Sequence, residues 1–445
     1  MKSAIILLPI LASLAQVATA FPFAKRAAAG PALARAHHQR SDGFVHVRGQ
    51  DSKRLVRRKR AHHDGEASSP CTTSTDAPSA TSSSDDSSSS SSSDWITASN
   101  SSSSWNPNTG SNLNASPPPA SATSSGSPPE STSAWHHVET ISGESFFDSK
   151  YWNFWSWPDP THGTVNYVDS NTARSQGLIS VNGDGQAIMK VDTTQQVQGG
   201  RSSVRIHSNR IWTGGMVILD AAHMPTGCGT WPAWWQNGPN WPEGGEIDIL
   251  EGVNDVTNNQ VSLHTGVGCT MPNNLEDNQL GSMSTGSFNP YDCSSANTQN
   301  QGCGVIDRKS QNSYGAGFNS AGGGVYAMAW AKSGIKVWFF TRSAVPQDIT
   351  SGSPNPDGWG TPVANFPSDN CNPYQFFYDQ FNIFDTTLCG DWAGADSVWS
   401  QSCAASTGYS SCSDYVLNSG SSFEQAYWAV NSVTVSYWCY SSHHS

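Results

Sequence analysis

Charge is the scarcest resource in this 445-residue chain. Only 13% of residues are charged, and the balance is acidic, with 23 Lys and Arg against 35 Asp and Glu. Twelve of the bases crowd into residues 1–60, which hold two acids. The rest of the chain therefore carries 11 bases against 33 acids, a net charge of −22. Such a surface repels nucleic acid phosphates and anionic lipids, which excludes both as partners and leaves a neutral polymer open. Long apolar runs are equally few. Ile5 to Leu14 is too short to span a bilayer, and no other stretch qualifies, so no membrane partner is expected. Tyr437 to Ser445 lacks the hydrophobic tail of a lipid-anchor signal. None of the ten cysteines shows C-x-x-C spacing, which argues against zinc or redox chemistry. Neither metal nor cofactor is expected. Long amphipathic helical patterns are missing as well, which argues against an alternating strand-helix fold.

What is present divides the chain. Lys2, the apolar run and Ala18-Thr19-Ala20 read as a secretory signal over 1–20, so an extracellular or wall-associated location is expected. Residues 21–60 read as a propeptide, with Lys25-Arg26 and Arg57-Arg58-Lys59-Arg60 as processing sites. Residues 61–133 are dominated by Ser, Thr, Pro and Asp, including the unbroken run Ser87 to Ser93. That composition buries no core and reads as a disordered, glycosylated linker, with Asn100 and Asn114 as N-glycan acceptors. One domain is expected over 134–440, followed by a solvated tail, 441–445, that includes His443 and His444. Cysteines in an exported chain favour disulfides.

Within the domain, short β-rich runs alternate with turn clusters. Examples are 164–168, 203–207, 215–219, 325–330, 335–340 and 432–438. This pattern predicts an all-β fold, an antiparallel sandwich of two sheets. The 18 tryptophans fit either a large aromatic core or flat platforms for sugar rings.

The most informative stretch is Gly244-Gly245-Glu246-Ile247-Asp248-Ile249-Leu250-Glu251. It alternates acid and aliphatic, as a strand with one wet face does. Glu246 and Asp248 then share a face. By strict period two Glu251 points the other way, and a β-bulge near Leu250 restores it. Acids lined up on one strand repel, so chemistry must justify them. Glycoside hydrolysis does. One carboxylate attacks the anomeric carbon and another protonates the leaving oxygen, about 5–5.5 Å apart in retaining enzymes. Backbone positions four steps apart start near ~13 Å, a gap that long side chains leaning together can narrow. Asp248 between them can hold a proton or hydrogen bond that separates their pKa values. A calcium site or an acidic surface strand are the alternatives. The indoles of Thr230-Trp231-Pro232-Ala233-Trp234-Trp235 and Asn240-Trp241-Pro242 just upstream favour a sugar cleft.

Glu246-Ile247-Asp248-Ile249-Leu250-Glu251 resembles the E-x-D-x-x-E signature of glycoside hydrolase family 16, in fungal laminarinase-type form. Pro160-Thr161-His162-Gly163, Gly227-Cys228-Gly229-Thr230-Trp231-Pro232, Leu263-His264-Thr265-Gly266 and Cys389-Gly390-Asp391-Trp392 extend the resemblance over most of 135–438. It implies a concanavalin A-like β-jelly roll with a long glucan cleft and retention by double displacement. It implies Glu246 as nucleophile, Glu251 as general acid/base and Asp248 as the assisting acid. Trp235 and Trp241 would be stacking platforms, and Arg205 and Asn166 donor-side sugar contacts. His264 would lie near Glu251, and Trp428 in the cleft wall. His162 and His223 are left as structural. Eight cysteines match the subgroup and imply four bridges, with Cys71 and Cys439 as additions that could pair. The expected activity is endo-hydrolysis of β-1,3 and mixed-linkage β-1,3/1,4-glucan by a monomer. A wall transglycosylase and a non-catalytic glucan-binding protein are the competing readings. Binding proteins on this fold usually lack the glutamates, and both are present here.

Overall fold

The computed structural model describes residues 135–284 and 286–438. The expected leader, propeptide, linker and tail lie outside them, as do Cys71, Cys439, Asn100 and Asn114. Two large antiparallel sheets dominate, and no helix among the described residues exceeds seven residues or is long and apolar enough to cross a membrane.

The first sheet runs β16 (Ala364–Pro367), β15 (Gly334–Thr341), β14 (Gly324–Ala331), β8 (Gly215–His223), β18 (Tyr427–Trp438), β5 (Ala187–Lys190), β4 (Ile179–Val181), with β1 (Trp135–Ile141) also on β18. The second runs β12 (Ser282–Met283), β13 (Cys303–Ile306), β11 (Gln260–His264), β10 (Glu246–Glu251), β9 (Thr230–Asn237), β17 (Gln380–Leu388), β7 (Arg205–Trp212), β2 (Trp152–Phe154). A small parallel pair joins β3 (Val165–Tyr167) to β6 (Arg201–Ser203).

Alternation decides what lies between the sheets. Val217 and Leu219 of β8, Tyr326 and Met328 of β14 and Val433 and Val435 of β18 meet Trp234, Ile247, Leu250 and Phe384 of the second sheet in one core. Each such burial contributes roughly 1.5–3 kcal/mol. The run 203–207, expected as one strand, is split. It breaks at Val204, which turns into the core, so Ser203 ends the parallel pair and Arg205 opens β7.

Four disulfides close loops around the second sheet: Cys228–Cys403, Cys269–Cys371, Cys293–Cys303 and Cys389–Cys412. They use the eight cysteines expected to pair. The turn into β10 is tight. A Cβ on Gly245, at φ +75°, would collide with the Phe376 carbonyl, so only glycine delivers Glu246 to its place.

Candidate active site

β10 carries the acids on the face turned away from the first sheet. Glu246 stands opposite Asn237 of β9, Asp248 opposite Trp235, and Glu251 opposite Ala233. Partners that skip one by one along β9 mark a shared face. The register slips between Asp248 and Leu250, and Ile249 has no partner on β9. This is the bulge the acid spacing requires. Ile247, Ile249 and Leu250 all enter the core, and Glu251 returns to the side of Glu246.

Glu246, Glu251 and His264 line one pocket of about 430 Å³ together with Trp231, Trp392 and Asp391. The acids are nearly closed off: Glu246 is 3% exposed, Asp248 2% and Glu251 9%. Burial pushes the Glu251 carboxyl up to about 8, and the negative charges of Asp248 and, more weakly, Glu246 add to this. The Trp231 indole N–H, donating to Glu251 Oε1 at 2.8 Å, and His264 pull the other way. Glu251 is therefore a protonated acid at neutral pH, able to give a proton. Polar atoms of Glu246, Asp248 and His264 lie within 4.8 Å of one another. That spacing admits a cation on distance alone. It equally suits a nucleophile with an assisting acid beside it on the same face of the strand.

His264 was expected near Glu251, and it lines the same pocket. Register puts it opposite Glu246, and its Nε2 lies 3.3 Å from Asp248 Oδ2. Trp235 shares the outer face with Asp248, yet it is 1% exposed, packed against Ala233 and Ile383. Trp241, in the β9–β10 connection, is 3% exposed. Neither indole lines the acid pocket as the structure stands; Trp231, Trp392 and Phe288 do.

Arg205 requires a correction. Its guanidinium has no exposed surface, lying 4.8 Å over Trp155 and 5.1 Å over Trp235. Its Nε donates to His207 Nε2 at 2.8 Å and Nη1 sits 3.5 Å from Asp385. As placed it is buried against Trp155 and Trp235 and does not line the acid pocket. Asn166 is exposed on β3, facing opposite to Tyr167, and is not brought into the pocket. Trp428 is also corrected. It belongs to the first sheet, is 1% exposed and packs in the core between the sheets. A β18 side chain facing inward cannot reach the outer face of β10.

The functional residue the sequence reading left unassigned is Trp231. It stands two residues before Ala233, the partner of Glu251, hence on the same face. Asp391, which lines the same pocket, accepts from His162 Nδ1 at 3.0 Å, a bond between two separate segments.

These features match known proteins. Residues 152–436 match the family model described as the XgeA-like catalytic domain of glycoside hydrolase family 16. A probable endo-1,3(4)-β-glucanase of Aspergillus clavatus is 41% identical over 306 residues, covering 67% of this chain and 46% of that one. The chain thus spans a little under half the length of that relative. Laminarinase 16A of family 16 from Phanerochaete chrysosporium, solved with β-glucans in donor and acceptor sites, is 42% identical with TM-score 0.62. It covers 68% of this chain and is itself 99% covered. An elongating family 16 β-1,3-glucosyltransferase is 39% identical with TM-score 0.62, at the same 68% and 99% coverage.

Proposed function

The chain belongs to glycoside hydrolase family 16, a β-jelly-roll glycosidase family, and from that premise we propose that it is an endo-β-glucanase. It cuts internal β-1,3 bonds, and β-1,4 bonds of mixed-linkage glucan, by double displacement. One observation carries this reading: two glutamates of a bulged strand open into one pocket, and one of them holds its proton to about pH 8. In the first step the Glu246 carboxylate attacks the anomeric carbon. Glu251 gives its proton to the glycosidic oxygen, and the leaving chain departs with its new hydroxyl. Asp248 hydrogen-bonds the nucleophile. In the second step Glu251, now ionised, takes a proton from water, whose oxygen displaces Glu246 from the sugar. Acid and base are thus one group in two protonation states. The four disulfides and the leader-like N-terminus support action outside the cell.

Glu246→Gln and Glu251→Gln should each cut reducing-end release from laminarin on the order of a thousandfold or more, the scale of losing a nucleophile or proton donor. Proton NMR of the first product should show the β-anomer. Equal activity in all three proteins, or α-anomer first, would refute the assignment. A second reading has specific support in the related glucosyltransferase. In it a glucan hydroxyl replaces water in the second step. Products longer than the laminarin oligosaccharide supplied would select it.

A further inference from the structure

Glu251 reaches the cleft only because β10 bulges, and a bulge breaks its ladder. Against β11 the pairing lapses between Asp248 and Glu251. The gap would strand two buried backbone groups, the Ile249 carbonyl and the Glu251 N–H, and stranded buried groups are costly. One side chain satisfies both. The Glu251 N–H donates to Asn259 Oδ1 at 2.9 Å, and Asn259 Nδ2 donates to the Ile249 carbonyl at 2.9 Å. A primary amide is the neutral group that offers a fixed acceptor and a fixed donor side by side. Asn259 is itself locked. It has no exposed surface, its N–H donates to Ser313 Oγ at 3.1 Å, and its carbonyl accepts from the Asp307 N–H at 2.9 Å.

We infer that Asn259 is a positioning residue for proton transfer: its side-chain amide clamps the bulge and so fixes where the Glu251 carboxyl stands. It touches neither sugar nor reacting atom and acts through the Glu251 backbone. The inference rests on the reading of Glu251 as general acid. It deepens that reading by assigning the geometry of the acid to a residue outside the signature.

The test compares kcat/KM on two substrates, because this ratio reports only the first displacement. Laminarin needs its leaving oxygen protonated. A dinitrophenyl β-laminarioligosaccharide does not, since dinitrophenolate leaves unaided. For Asn259→Ala the laminarin value should fall on the order of a hundredfold, and the aryl value less than about threefold, as for a displaced acid. A defect of general folding lowers both alike, so equal losses overturn the inference, as does no loss on either. Asn259→Asp decides the matter if the alanine variant does not fold. A protonated carboxyl there keeps both bonds, whereas an ionised one cannot donate to Ile249. The alkaline limb of its laminarin profile should therefore drop at lower pH than in the wild type, and an unshifted limb overturns the inference. Glu251→Gln is run beside them. If it keeps its laminarin activity, the acid assignment itself has failed; if it loses that activity while the Asn259 variants match wild type, only the clamp has failed.

Discussion

The proton on Glu251 is held by a contest of nearby groups. Burial and the charges of Asp248 and Glu246 favour the neutral acid, while the Trp231 N–H and His264 favour the anion. Trp231→Phe keeps an aromatic ring, though a smaller one, and removes the donor to Oε1. The carboxyl should then hold its proton to higher pH, because the ionised form loses the stronger bond. A hydrogen bond to the anion is stronger than one to the neutral acid by roughly 1–1.5 kcal/mol, about one pH unit. The alkaline limb of kcat/KM on laminarin, which reports the free acid, should therefore move upward by about one unit. A limb that stays put or moves to lower pH would sink the argument. Stability follows the same sign. The folded state binds this proton more tightly than the unfolded chain, so its stabilising effect is full below pH 4.5 and is lost as pH rises through about 8. The three acids were legible because they sit on one strand. Trp231 was not, because it meets Glu251 across a strand pair, diagonal to its partner Ala233. Only the register shows that meeting.

At the scale of elements, the bulge was legible from spacing alone, since three acids on one face demand an extra residue. The pocket wall was not. Phe288, Thr298 and Gln301 come from a segment between β12 and β13 with no strand or helix period to read. Cys293–Cys303 closes that segment over a separation of 10 residues and anchors it to β13, beside Leu263 of β11. A closed loop of this length restrains the unfolded chain by about 3 kcal/mol. It also holds the wall in register with the carboxylates. Replacing both cysteines by alanine should raise KM for laminarin several-fold, roughly 1 kcal/mol of lost preorganised binding, with kcat held near wild type. A fall in kcat at constant KM would place the segment in the chemistry instead. Arg205 shows the same limit in another form. The run 203–207 reads as one strand, and only the break at Val204 reveals that Arg205 opens a different sheet and is roofed by Trp155 and Trp235.

At the scale of the whole molecule, sandwich architecture follows from short alternating runs, and two antiparallel sheets are what the structure holds. The use of each tryptophan does not follow. Neighbours Trp234 and Trp235 face opposite sides of β9, one in the core and one beneath the cleft. Trp428 looks like a cleft residue by resemblance but ties the sheets together. Its ring meets Phe384 edge-on at 5.4 Å, and Phe384 in turn stacks with Trp234 at 6.1 Å. Its indole N–H donates to the Asp385 carbonyl of β17 at 3.3 Å. Asp385 also holds Arg205 and accepts from Tyr167, so this bridge reaches the cleft floor from behind. Trp428→Ala should cost about 3–5 kcal/mol, as truncation of a large buried ring does. In a domain of this size that lowers Tm on the order of 10 °C. Below the transition KM for laminarin should stay within about twofold of wild type, because Trp428 packs in the core and does not line the acid pocket. A large rise in KM with an unchanged melting curve would return Trp428 to the cleft.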